Sequence, residues 1–487
     1  MDARTTRRRF IAGAGAATAG LAGLGAALRV PRAQAHDGPN VVLIIVDTLR
    51  ADHVFGKRAR TPNIDALARE GISFTRCFPE AMPTIPARRS ILSGRRTFPF
   101  RGWHPYPGLI GEPGWAPLER PAIAFTTTLK RAGYWTAYVT DNTGVGFSPP
   151  WAPYRRSIDH FVRRGGQFGG TSAGVSDAEL RHWLPPALED PQTRDRIRRY
   201  LANGRYSHDE TRSFAARVFK DASHVLRMAK RRREPFALVV DTFEPHEPWT
   251  PPRRYIDMYG DPDYRGPEPA RPYYAPVSRY LSGSELVLVD RMKALYAAEV
   301  TMTDRWLGVF LERLHDLRLE RETVIVLVSD HGFFVGDHGL TGKLSTRLHP
   351  ELIHVPLIVV HPERRKAGQS RRWFASTHDV APTLVSMAGV PVPEAMDGVD
   401  LSRFFDGRKV PERDYAWGGY GNSFFVRTAR WKAFGRNHGD DLHLYDPRRD
   451  RRETRDLVGS NARKARELYG VVRARAGGPL PYYPGTI

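Results

Sequence analysis

The chain has 487 residues, 41% of them hydrophobic, which is enough to bury one large domain and a smaller one and excludes a disordered or fibrous protein. Its formal net charge of +21 favours anionic partners, yet no nucleic-acid-binding motif is present and the excess is spread over arginine pairs rather than gathered in a stripe. A single cysteine, Cys77, excludes an internal disulfide, so stability has to come from packing.

Residues 1–35 read as a leader. Thr6-Arg7-Arg8-Arg9-Phe10-Ile11 has the twin-arginine pattern, an Ala/Gly/Leu run extends to Leu28, and Ala33-Gln34-Ala35 offers a small-residue cleavage site. The run is Gly-rich and ends at Arg29, which argues against a membrane anchor. The expectation is passage through the twin-arginine export machinery, a mature chain starting near His36 without a transmembrane segment, and a periplasmic, cell-wall-associated or extracellular destination.

Asn40–Val46 is a continuous apolar run, the pattern of a parallel strand covered on both faces, and it ends on Asp47. Open α/β sheets bind ligands at the carboxyl ends of such strands, which places Asp47 where chemistry occurs. Thr61 then reads as a helix cap and Pro62 as the first helical residue, with an amphipathic helix running to Gly71. Cys77 reads as a buried structural thiol. Residues 83–94 form a predicted helix, with Pro86 in its first turn and Gly94 as its stop. Thr84 and Arg88 share a face of it. The unpaired N–H groups and partial positive charge of the helix start suit a phosphate or sulfate ester on the Thr84 hydroxyl, with Arg88 clamping the ester oxygens.

Residues 125–132 predict a helix and 136–140 the next strand, followed by Asp141-Asn142-Thr143. Residues 144–233 are irregular and rich in Gly, Pro, Trp and charge, with helical pieces at 194–201 and 211–227; they read as an insertion over the active site. The sheet resumes at 236–240, and His246 follows in a proline-rich loop at that strand's end. A long helix is expected over 284–317, its apolar stripe packed as core. The strand at 323–328 delivers Asp330 and His331 to another strand end, and with Asp47 they make an oxygen-rich site for a divalent metal. Leu357–Val360 is a further strand, and a helix opens after Thr377. Beyond residue 405, short antiparallel strands at 424–428, 431–434 and 442–445 precede a helix at 462–473.

Thr84-x-Pro86-x-Arg88, closed by Leu92-Ser93-Gly94, resembles the sulfatase signature of the alkaline phosphatase superfamily. Val46-Asp47-Thr48-Leu49-Arg50-Ala51-Asp52, Pro245-His246-Glu247-Pro248-Trp249, Ser329-Asp330-His331-Gly332 and Gly336-Asp337-His338-Gly339 with Gly342-Lys343 resemble further elements of that family, in the same order. The resemblance implies an α/β fold with a large, mostly parallel central sheet flanked by helices over residues 36–405. It adds a small C-terminal α+β subdomain with an antiparallel sheet over 406–487. It also implies one divalent ion (Ca, Mn, Mg or Zn) held by Asp47, Asp330, His331 and Thr84, a substrate-oxygen contact from Lys343 beside Arg88, and a leaving-group role for His246. His338 is expected outside the ligand set.

Three departures bear on the chemistry. Thr84 stands where sulfatases carry the Cys or Ser that becomes formylglycine, whereas related phosphodiesterases and phosphoglycerol transferases use threonine directly. Thr48 stands where many sulfatases have a second acid. Asp141-Asn142-Thr143 replace a Gly-Lys-x-His element, leaving Asn142 as a neutral donor. The expectation is a metal-dependent hydrolase that cleaves phosphate diesters, phosphonates or sulfate esters through a covalent Thr84 intermediate. Its substrate is an anionic small molecule or cell-envelope ester, with no specific nucleic acid. The alternatives are a sulfuric ester hydrolase proper, a phosphoglycerol-type transferase, or a catalytically silent protein that binds anionic polymers.

Overall fold

A computed structural model describes residues 37–167, 174–204 and 209–486. The expected leader, and with it the twin-arginine reading, lies outside the described residues.

The Asn40–Val46 strand organises the sheet. Side chains alternate across a strand, so Val42, Ile44 and Val46 enter one apolar cluster while Val41, Leu43 and Ile45 enter another, all six buried. Eight strands lie in the order Gln369–Arg371, Ile72–Phe74, Leu357–Val360, Thr323–Ser329, Asn40–Val46, Phe236–Thr242, Trp135–Thr140 and His160–Arg163. The last five of these are mutually parallel, and Leu357–Val360 is antiparallel to both its neighbours. Val46 pairs with Ser329 on one side and Thr242 on the other. That register brings Asp47, Asp330 and Asp241 out together at the carboxyl edge.

The helices Val287–Asp316 and Phe214–Lys230 cover one face of the sheet. Thr84–Ser93, Phe125–Arg131 and Val380–Met387 cover the other. The 144–233 segment is therefore more than a cover over the active site. It supplies the edge strand His160–Arg163, and Phe214–Lys230 sets Phe214, Val218, Phe219, Val225 and Leu226 into the core. Prolines and arginines around this helix masked its place in the main layer.

The C-terminal sheet has the order His443–Tyr445, Lys432–Arg436, Ser423–Thr428, Tyr415–Tyr420 and Ala81–Met82. Four of its strands form an antiparallel meander, and Val458–Arg475 packs on it through Ala465, Leu468 and Val472. The fifth strand, Ala81–Met82, comes from just before Thr84 and pairs in parallel with Gly419 and Tyr420. The small sheet is thus joined to the predicted nucleophile. Tyr415–Tyr420 escaped the sequence reading because its Gly418 and Gly419 dilute the strand pattern. No helix among the described residues is long and apolar enough to cross a membrane.

The helix Pro62–Glu70 is capped from a distance. Thr61 makes no side-chain cap bond, contrary to the local reading. Instead Asp304, on the long helix, accepts the Ile64 N–H at 2.8 Å and the Asn63 N–H at 3.1 Å, together with the Asn63 amide at 2.9 Å. Asp304→Ala strands these donors and is expected to cost about 1–3 kcal/mol. Thr61→Ala, which loses no cap, is expected to cost less than about 1 kcal/mol. Urea denaturation of the two variants compares them directly.

Candidate active site

The Ala81–Met82 strand turns through Pro83 into the helix Thr84–Ser93, all ten of whose residues are buried. Gly94 ends it at φ 64°, a left-handed conformation that glycine adopts freely. A Cβ there would stand 2.9 Å from the Pro382 ring. The Gly94 carbonyl also accepts from the N–H groups of Asp397 and Gly398 at 2.9 and 3.0 Å, which pins the helix end.

One turn from Thr84, the Arg88 guanidinium meets three carboxylates from three strand tips. It pairs with Asp241 Oδ1 at 2.7 Å, Asp330 Oδ2 at 2.6 Å and Asp47 Oδ2 at 3.1 Å, all fully buried. Its Nη1 also donates to the Thr84 carbonyl at 3.1 Å, and its Nε donates to Asp241. Each Arg88 donor thus meets a protein acceptor. Asp241, which sequence reasoning passed over, further accepts the Tyr138 hydroxyl at 2.8 Å. The signal was available, since Asp241 follows an apolar strand as Asp47 does.

One guanidinium cannot balance three buried carboxylates. Burial and the neighbouring Asp330 push the Asp47 carboxyl well above its usual range, and among the described residues neither Asp47 oxygen has a hydrogen-bond partner beyond its ion pair with Arg88. Although burial opposes it, His331 and Arg88 hold Asp330 below its usual range. Asp330 Oδ1 also takes the backbone N–H groups of Thr48 and His331 at 3.0 and 2.8 Å. Thr48 adopts φ 58°, unusual for a β-branched residue, and its buried hydroxyl has no hydrogen-bond partner among the described residues.

His331 completes the cluster. Its Nδ1 lies 2.9 Å from the Gly332 carbonyl, which assigns the proton to Nδ1 and turns Nε2 toward Thr84 Oγ1, 3.4 Å away. Burial lowers its pKa to about 4, so the ring is neutral at neutral pH. One ligand atom each from Asp47, Asp330 and His331 lies within 4.8 Å of the others, the span of two ion–ligand bonds of about 2.0–2.6 Å. Orphaned carboxylate oxygens, surplus negative charge and a neutral imidazole fit a divalent cation.

Thr84, His246 and Lys343 line a cavity of about 730 Å³ above this cluster. The Lys343 ammonium donates to His246 Nε2 at 2.7 Å, while His246 Nδ1 donates to the Glu247 carbonyl at 2.6 Å. Burial and the adjacent Lys343 push the His246 pKa well down, so a neutral histidine holds a charged lysine. Leu109, Trp115, Phe147, Phe243, Tyr274 and Tyr420 give the cavity its apolar walls. Asn142 also lines it, its Oδ1 spent on capping Val145 N–H at 3.0 Å. His338 contacts Glu351 and stacks on His349 at 3.9 Å.

Residues 39–390 match the family model described as Sulfatase, and residues 336–468 match that for the C-terminal region of N-sulphoglucosamine sulphohydrolase. The multifunctional alkaline phosphatase superfamily protein PehA of Trinickia caryophylli is 27% identical over 408 residues, covering 75% of this chain and 76% of that protein. An arylsulfatase of Clostridium perfringens is 25% identical over 465 residues, covering 88% of this chain and 92% of the relative. Among solved structures, the phosphonate monoester hydrolase of Agrobacterium radiobacter shares the fold with a TM-score of 0.66 at 21% identity, covering 90% of this chain and 95% of that one. With strand-tip acids, a helix-borne hydroxyl and a family match over most of its length, the chain belongs to the sulfatase family of ester hydrolases.

Proposed function

We propose that this protein is a metal-dependent hydrolase of phosphate diesters or phosphonate monoesters, with Thr84 as its nucleophile. The observation that carries the reading is the Thr84 hydroxyl, 3.4 Å from His331 Nε2, at the junction of an acid cluster and an apolar cavity. A threonine bears a methyl group on Cβ and cannot yield an aldehyde, which removes the formylglycine route to sulfate esters.

Asp47, Asp330 and His331 would hold the divalent ion, which when bound supplies the positive charge that favours the ionised Thr84 hydroxyl. The Thr84 oxygen attacks phosphorus, and the bond from phosphorus to the leaving oxygen breaks. Lys343 faces the ester oxygens as a cation, and the Lys343–His246 pair holds the proton that the leaving oxygen takes up. Water then cleaves the ester on Thr84. Arg88 holds the acids in place and fixes the first turn of the nucleophile helix. The Asn142 amide is a neutral donor at the cavity wall, and those walls suit an ester with an apolar organic substituent. Export by the leader, to the cell envelope or beyond it, belongs to the same proposal.

A second reading, sulfate ester hydrolysis, is favoured by the arylsulfatase relative, with which the chain aligns over 88% of its length. Parallel assays on an aryl sulfate, a phosphodiester and a phosphonate monoester separate the two. The phosphorus esters are expected to turn over faster, and preference for the sulfate overturns the proposal. Thr84→Ala is expected to lower kcat/KM by about a thousandfold or more. Peptide mass analysis of quenched turnover is expected to find the phosphoryl ester on the Thr84 peptide.

Asp47→Asn gives a test through stability. Stripped of divalent ions, the variant is expected to be more stable than the parent by about 1–4 kcal/mol, because the amide relieves repulsion with Asp330. Added divalent ion should raise the Tm of the parent and leave that of Asp47→Asn nearly unchanged. Thermal unfolding with chelator and with each of Ca, Mn, Mg and Zn reads both effects.

A further inference from the structure

A second cleft, of about 400 Å³, opens where the end of the nucleophile helix, residues 95–103, residues 116–123 and the end of Val458–Arg475 meet. Arg89, Arg95, Arg96, Arg101, Arg120 and Arg475 line it against a single acid, Glu119. Like charges gathered in a concavity repel one another unless an anion joins them.

Among the described residues four of these six arginines have no ion pair, and the other two are paired loosely. Arg89 is 8% exposed; it donates to the Gly114 carbonyl and to Glu119 Oε1, each at 3.0 Å, while its buried Nε has no hydrogen-bond partner among the described residues. The Glu119 side chain is 68% exposed, so this ion pair is open to displacement. Arg96 lies 4.0 Å over the Trp417 ring and donates to the Trp417 carbonyl; its carboxylate neighbour, Glu80, stands 3.8 Å away and is engaged by Thr97 and Phe98. Arg101 donates to the carbonyls of Ala476 and Pro479, and Arg475 to the Tyr415 hydroxyl. Carbonyls, hydroxyls and rings orient a guanidinium but leave its charge intact. Among the described residues Arg95 and Arg120 have no ion pair.

The cleft is also firmly built. Phe100 sits at φ 56°, fixed by edge contact with Phe98 at 5.4 Å and by the Tyr483 hydroxyl, which donates to its carbonyl. The segment from Tyr106 to Leu118 walls both cavities: Tyr106 and Leu118 face the cleft, Leu109 and Trp115 the catalytic cavity.

We infer that this cleft binds an oligoanion, a molecule carrying two or more phosphate or sulfate groups that separate guanidinium forks can each take. Its source is either the distal part of a polymeric substrate or a free polyphosphate. The site stands whether or not Thr84 is the nucleophile.

Calorimetric titration of the full chain with inorganic tripolyphosphate tests it. One-to-one binding is expected, weakened about tenfold or more by Arg95→Ala/Arg120→Ala. Arg451→Ala/Arg452→Ala removes the same charge from an exposed turn and should weaken binding less than about twofold. Lys343→Ala should leave it unchanged. Equal loss in the two double variants marks a diffuse surface field and overturns the proposal; so does loss in Lys343→Ala, which places the ligand in the catalytic cavity. Arg120→Glu, at an exposed single position, gives the same readout if the double variant fails to fold. Low-molecular-weight dextran sulfate separates the sources: displacement of tripolyphosphate at equal concentration marks a polymer, and failure to displace it marks a free polyphosphate.

Discussion

Three carboxylates and one guanidinium, all withdrawn from water, set the terms for the rest of this protein. Asp47, Asp241 and Asp330 arrive on three adjacent parallel strands, and Arg88 reaches them from the helix above. Buried charges of one sign cannot be left unpaired, and a single arginine leaves the cluster negative. The imbalance shows in Asp47, whose oxygens find no hydrogen-bond partner among the described residues beyond the Arg88 ion pair, while its carboxyl is pushed toward the protonated form. Such a cluster has the surplus negative charge that a divalent cation would offset.

The Thr84–Ser93 helix is the axis on which this depends. Its start is tied to the C-terminal sheet through Ala81–Met82, and its end is held at Gly94 by Asp397 and Gly398. Arg88 and Arg89, adjacent in sequence, point to opposite business: one pairs with the acids and offsets part of their charge, the other enters the basic cleft. Distant parts of the chain therefore fix where the Thr84 hydroxyl lies. The small sheet is tied to the helix that carries Thr84 rather than appended to the main domain.

Above the acids, the chemistry is arranged by polarity. Apolar walls keep the local dielectric low, which strengthens the Lys343 charge that faces the cavity. His246 cannot compete for that charge, because burial and Lys343 itself keep it neutral. The pair lines the same cavity as Asn142, which has only a neutral amide to offer.

Local pattern in the sequence determined the strands that end in Asp47 and Asp330, the helix from Thr84 to its glycine stop, the long covering helix and three of the four strands of the antiparallel meander. Each follows from periodicity or from a turn residue within a few positions. The motif order further identified the family and placed Thr84, His331, His246 and Lys343 near one another. What needed the tertiary structure was every contact set by register and packing. Asp241 joins the acids because its strand pairs with Asn40–Val46, Arg88 is consumed by carboxylates that lie far away in sequence, and Asp304 replaces Thr61 as a helix cap. The Phe214–Lys230 helix becomes core because it lands on the sheet. Such contacts join residues tens to hundreds of positions apart, and no local spacing encodes which donor meets which acceptor.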